Sequence, residues 1–135
     1  MRFIILYIFL TIILSSDNTI YFVYNAQKGF HYSIKDFFHK SLAPNKYPCS
    51  LCKTTYGMFV KKNEWNNYLN TLQYNYEFVY LNQSNYLFLK KYNSYPMILI
   101  GDINNTEILL TKDDIDNCNS LNELILLIDH KLKQY

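Results

Sequence analysis

Glycine and proline are scarce in this chain, at three residues each in 135, and alanine is nearly absent at two. That scarcity excludes collagen-like repeats and linker-rich architectures, which need glycine and proline in bulk. Cysteine is equally sparse, at three. A folded unit of this length buries roughly 65–70% of its unfolded surface and needs no disulfide staples. Arginine occurs once against twelve lysines, and the net charge is only +2. The basic residues form no stripe interleaved with aromatics, so the chain carries no nucleic-acid footprint. There is no Gly-x-x-x-x-Gly-Lys-Ser/Thr and no Gly-x-Ser-x-Gly. A phosphate-cradling P-loop and a serine-hydrolase elbow are therefore unsupported. No internal repeat is visible.

What is present is apolar and aromatic. Half of the residues are hydrophobic and 18% are charged, with 14 tyrosines, nine phenylalanines and 16 asparagines. Such a chain buries too much apolar surface to remain disordered. Its length fits one domain and excludes a multi-domain enzyme. The Tyr/Asn/Lys bias reads as the codon composition of an AT-rich genome rather than as function.

The first residues form a unit of their own. Met1-Arg2 precedes a run of uncharged, mostly aliphatic residues, Phe3 to Leu14, and then Ser15-Ser16-Asp17-Asn18. One positive charge, a short apolar run and small residues after it match a secretory signal peptide or hydrophobic anchor over 1–16. The run is shorter than the ~20 residues of a membrane span. This reading leaves a single domain over 17–135, in an exported or membrane-anchored protein that meets the membrane through residues 3–14. If residues 1–16 instead form a buried element of the fold, the location is cytoplasmic.

Periodicity gives the remaining elements. Thr19–Tyr24 is β-branched and aromatic, and reads as a buried strand. Apolar residues at Phe30, Ile34, Phe37, Phe38 and Leu42 predict a helix over 30–42. Trp65, Tyr68, Leu69 and Leu72 predict a helix over 63–72, with Asn63 as its cap. Strands are expected over 76–81, 96–100 and 106–110, with a turn at Gly101–Asn105, and a short helix over 83–92. Ser120, with Glu123 three residues on, forms a capping box for a last helix over 120–133. Alternating elements followed by a hairpin predict an α/β fold, a mixed four-stranded sheet with flanking helices.

Cys49-Ser50-Leu51-Cys52 is the feature that carries chemistry. Two intervening residues let the sulfurs join in a disulfide or share one metal ion. If Cys49 opens a helix, the free N–H groups there stabilise its thiolate and make it the attacking, more exposed sulfur. Cys52, one turn on, then resolves the mixed disulfide. The alternatives are a structural disulfide, a pair of ordinary thiols, or a zinc clip of Cys49, Cys52 and His39 with His31 or Asp36. The redox reading needs no cofactor, whereas the clip needs zinc. Pro48 to Cys52 also matches half of the zinc deaminase signature, but neither His31 nor His39 is followed by the required Glu. Cys118 reads as a small buried or half-buried residue, and Asp113-Asp114-Ile115-Asp116 as a solvated turn.

From Tyr95 onward the chain resembles the C-terminal half of thioredoxin-like domains. The residues that carry the resemblance are Tyr95-Pro96, the run Met97 to Ile100, the hairpin, the strand Glu107 to Leu110, and the closing helix led by Ser120. It implies a cis bond before Pro96 and a catalytic group of Cys49, Cys52 and Pro96. The substrate it implies is a protein or small-molecule thiol. In that family the Cys-x-x-Cys opens the first helix after the first strand, whereas here the predicted helix 30–42 precedes it. Tyr24-Asn25-Ala26, His39-Lys40, and Pro44, Tyr47, Cys49, Leu51 and Cys52 together also resemble a small bacterial family, a likeness that transfers no chemistry.

Overall fold

The computed structural model describes residues 18–26, 49–56, 61–83 and 85–135. The apolar segment 1–16, the expected helix 30–42, and His31, Asp36 and His39 lie outside the described residues. The elements run β1 (Thr19–Tyr24), α1 (Ser50–Thr55), α2 (Asn63–Thr71), β2 (Asn75–Tyr80), α3 (Phe88–Lys91), β3 (Met97–Asp102), β4 (Asn105–Leu110), α4 (Lys112–Asp116) and α5 (Leu121–Gln134). Among the described residues, no helix is long and apolar enough to cross a membrane.

The sheet order is β2-β1-β3-β4. β1 pairs in parallel with β2, from Thr19 opposite Asn75 to Tyr24 opposite Tyr80. On its other side it pairs antiparallel with β3, Ile20 opposite Ile100 and Val23 opposite Met97. β4 returns antiparallel to β3, so β3 alone runs against the other three strands. A parallel pair cannot be joined by a tight turn, and here the crossover between β1 and β2 carries α1 and α2.

Strand alternation divides the core into two layers. Ile20, Phe22 and Tyr24 of β1 face a large cluster with Ile98 and Ile100 of β3. That cluster includes Cys49, Leu51 and Cys52, Trp65, Tyr68 and Leu69 of α2, Ile115 of α4, and Leu121, Leu124 and Ile128 of α5. Tyr21 and Val23 face the opposite layer, with Val79, Met97, Leu99 and Phe88 of α3. Burial on both faces explains why β1 and β3 read as continuous apolar runs. A bulge between Ile98 and Leu99 breaks the alternation in their partner β4, and both Leu109 and Leu110 reach the large cluster.

Local chemistry sets the element ends. In the β3–β4 hairpin, Asp102 Oδ1 accepts the N–H groups of Asn104 (2.8 Å) and Asn105 (3.0 Å). The turn is therefore confined to Ile103-Asn104, and the strands extend into the expected turn cluster. Gly101 sits there at φ 139°, where a Cβ would lie 2.3 Å from the Asn105 carbonyl oxygen. α2 is capped by Lys62 without a side-chain bond, not by Asn63, which is its first helical residue. Ser120 Oγ accepts the Glu123 N–H (3.2 Å) as expected, but the Glu123 carboxylate accepts from Asn119 N (2.8 Å), one residue before the cap. Residues 112–116 form a helix rather than a solvated turn. Thr111 and Asp114 make its reciprocal capping box, and Ile115 is fully buried.

Candidate functional site

Cys49 is the N-cap of α1, with extended backbone (φ −119°, ψ 95°). Its Sγ accepts the Cys52 N–H at 3.2 Å, one of the donors that a helix start leaves unpaired. The same two residues are joined by a disulfide, with Cα atoms 5.2 Å apart. The spacing expectation of a shared bond is met. The exposure expectation is reversed: Cys49 is 1% exposed and Cys52 6%. Cys49 thus caps the turn with its own sulfur. The Ser50 hydroxyl donates to Asp116 Oδ1 at the end of α4.

The helix is held over the sheet by its other buried residues. Leu51 and Thr55 are 0% exposed. Thr55 Oγ1 donates to the Leu51 carbonyl at 2.8 Å and lies 3.3 Å from Tyr24 Oη at the end of β1. The single threonine proton is committed to Leu51, so the tyrosine hydroxyl is the donor to Thr55. Burial drives the Tyr24 phenol far above its usual range. Among the described residues, the buried Trp65 indole N–H has no hydrogen-bond partner. Tyr24 stacks on Phe78 and Tyr80, and meets Tyr56 edge-on at 5.8 Å.

Two contacts thus bring α1 to the end of the sheet where β1 and β4 finish and β3 begins. Pro96, which immediately precedes β3, lies at that same end, is buried, and follows a cis peptide bond. Its loop is braced by tyrosines. Tyr95 Oη donates toward the carbonyls of Tyr92 (2.9 Å) and Leu89 (3.1 Å), and Tyr92 Oη donates to Thr106 O (3.3 Å). A cleft of about 290 Å³ opens beside the loop, lined by Tyr92, Ser94, Met97, Ile108, Thr111 and Lys112.

Among the described residues, α4 brings charged side chains to the start of α1. Asp116 is bonded to Ser50 through one oxygen and to the Lys112 ammonium through the other. Partial burial pushes its carboxyl up, but the bonds from Lys112 and Ser50 and the lysine charge overcome this and hold it below the usual carboxylate range. Cys118, half-buried as expected, places its Sγ 3.4 Å from the Asp114 carbonyl. Burial, with the charges of Glu123 and Asp114, pushes that thiol up, away from the reactive thiolate form.

Among the described residues, no three His, Cys, Asp or Glu side chains converge as a metal site. His39, the third ligand of the zinc alternative, is outside the described residues. Sequence reading did not identify Asp116 as a neighbour of the cysteine pair. The Thr111-x-x-Asp114 capping box was the available signal for α4 but not for its contact with α1. No family model, curated protein or solved structure matches the chain.

Proposed function

We propose that the chain is a thiol–disulfide redox protein on a thioredoxin-like scaffold, acting through Cys49 and Cys52 on a protein or small-molecule thiol substrate. The observation that carries this is the Cys49 sulfur at a helix start, accepting the Cys52 N–H within a Cys-x-x-Cys disulfide. Such a donor favours a thiolate over a thiol at that sulfur. Three features of the frame support the scaffold: the order β2-β1-β3-β4 with β3 alone reversed, the cis bond before Pro96, and the closing helix α5.

In the reducing direction, the Cys49 thiolate attacks one sulfur of a substrate disulfide. A Cys49–substrate S–S bond forms, the substrate S–S bond breaks, and the departing thiolate takes a proton. The Cys52 thiolate then attacks Cys49 Sγ, closing the intramolecular disulfide and expelling the second substrate thiolate. The substrate gains two electrons and the protein dithiol loses them. Run backwards, the same steps oxidise a substrate dithiol, the direction favoured in an exported protein.

A second reading rests on burial. At 1% and 6% exposure, the bond resembles a structural clasp as much as an exchanging one, and the same pair with His39 would suit a zinc clip. Exchange of the full chain with a disulfide substrate under glutathione buffers separates these. Cys49→Ser should abolish exchange, and Cys52→Ser should accumulate a mixed disulfide visible by mass spectrometry. A wild type that forms the disulfide but never exchanges it supports the clasp. Stoichiometric zinc in freshly purified protein supports the clip.

A further inference from the structure

Ser50 lies inside the redox motif, and Asp116 lies at the end of a helix that follows the last strand. The fold brings them into hydrogen-bond contact, with Lys112 on the second carboxylate oxygen. Resting on the redox reading, we propose that Asp116 is a positioning residue for the Cys49–Cys52 couple, which holds Ser50 so that the first turn of α1 keeps the two sulfurs within bonding reach.

Ser50 is the first helical residue after the Cys49 cap. Any rotation of its backbone swings Cys49 relative to the rest of the helix, moving Sγ away from both the Cys52 N–H and the Cys52 sulfur. A disulfide tolerates only Cα separations of about 4.4–6.8 Å, and the turn holds 5.2 Å. In the oxidised protein the S–S bond and the Asp116 tether restrain the same turn and support one another. In the dithiol nothing joins the sulfurs, the turn is freer, and the tether restrains it with less return. A contact worth more in one redox state shifts the equilibrium toward that state, and one worth the same in both shifts nothing. Removing the tether therefore makes the disulfide easier to reduce. The carboxylate acts by position rather than by its field. Asp116 and Lys112 are 36% and 38% exposed and neutralise one another, so their net charge at the sulfurs is screened by solvent.

The test equilibrates the full-length wild type and variants in glutathione buffers and reads the oxidised fraction by thiol alkylation and mass. Ser50→Ala and Asp116→Ala should each lower the oxidation equilibrium constant by about twofold to fivefold, the upper end being the whole worth of one ordinary hydrogen bond. The double variant should lose no more than either single one, because both remove the same contact. Asp116→Asn, which keeps an acceptor for Ser50, should restore most of the wild-type value. Unchanged constants, fully additive losses, or an Asp116→Asn shift as large as that of Asp116→Ala would each overturn the proposal. So would equal losses of unfolding stability in the oxidised and reduced forms. This measurement is read at equilibrium and does not depend on the rate of turnover. A wild type that comes slowly to equilibrium with glutathione but does not catalyse reduction of a disulfide substrate defeats the redox reading and leaves the positioning result readable, whereas catalysis with unshifted variants defeats only the positioning role.

Discussion

Thr55→Val should destabilise the protein more than Tyr24→Phe, although both remove one hydroxyl from the same contact. Both residues are 0% exposed. The direction of the bonds sets the asymmetry: Tyr24 donates to Thr55 Oγ1, and Thr55 donates to the Leu51 carbonyl. Without the tyrosine hydroxyl, Thr55 still satisfies its own proton, and the loss is one net hydrogen bond, about 1 kcal/mol. With valine at position 55 the shape is nearly kept. The Tyr24 O–H is then buried without an acceptor, and Leu51 loses a side-chain donor, for about 2–3 kcal/mol. In the double variant the orphaned hydroxyl is gone, so the two costs should fall short of additivity by about 1–2 kcal/mol. Urea unfolding of the oxidised protein, followed by fluorescence of Trp65, the single tryptophan, gives each value from its midpoint at constant slope. A Tyr24→Phe cost equal to or above that of Thr55→Val, or additive costs, would refute the assigned bond directions.

Gly101→Ala should cost about 2–4 kcal/mol, since its φ is 139° and the new Cβ meets the Asn105 carbonyl oxygen; thermal unfolding measures it, and a neutral result would contradict the hairpin geometry. Reducing the disulfide should cost only about 2 kcal/mol, because the closed loop is so short that little chain entropy is at stake. The reduced protein should stay folded by circular dichroism, and global unfolding in dithiothreitol would oppose this. Stability should fall above about pH 10, because Tyr24 and Tyr68 are held above their ordinary value, Tyr24 chiefly by burial and Tyr68 by burial and its bond to Asp129. The unfolded chain loses these protons first, so stability is complete below that pH and is lost as pH rises, by at most about 1.4 kcal/mol per pH unit for each tyrosine. Urea midpoints read from Trp65 fluorescence should fall less steeply with pH above about pH 10 in Tyr24→Phe and in Tyr68→Phe than in the wild type, and equal slopes would contradict the burial argument.

The four strands were legible because their cause is local. β1 and β3 are buried on both faces, and that demands the uninterrupted apolar runs seen at Ile20–Tyr24 and Met97–Ile100. The stripe of α5 was legible for the same reason, with Leu121, Leu124 and Ile128 buried at helical spacing. α4 was missed because a five-residue helix with one buried side chain, Ile115, has no period to detect. Of the described residues in the expected helix 83–92, only Phe88–Lys91 are helical, with Phe88 as the buried anchor. At the site, the Cys-x-x-Cys bond follows from spacing. The deeper burial of Cys49 and its link through Ser50 to Asp116 do not, because they depend on how α1 and α4 meet across 66 positions of sequence.

The pairing of β1 also bears on how the chain is made. Both of its neighbours are C-terminal to it: β2 begins at Asn75 and β3 at Met97. A ribosome therefore releases Thr19–Tyr24 well before any strand exists to cover either edge. The segment is TIYFVY, six residues without charge, proline or glycine, a composition prone to stack with copies of itself. Until residue 80 emerges, its edges are open to other nascent chains. Yield at high expression should therefore depend on how quickly synthesis reaches β2, and a pause between residues 24 and 75 would favour aggregation over folding.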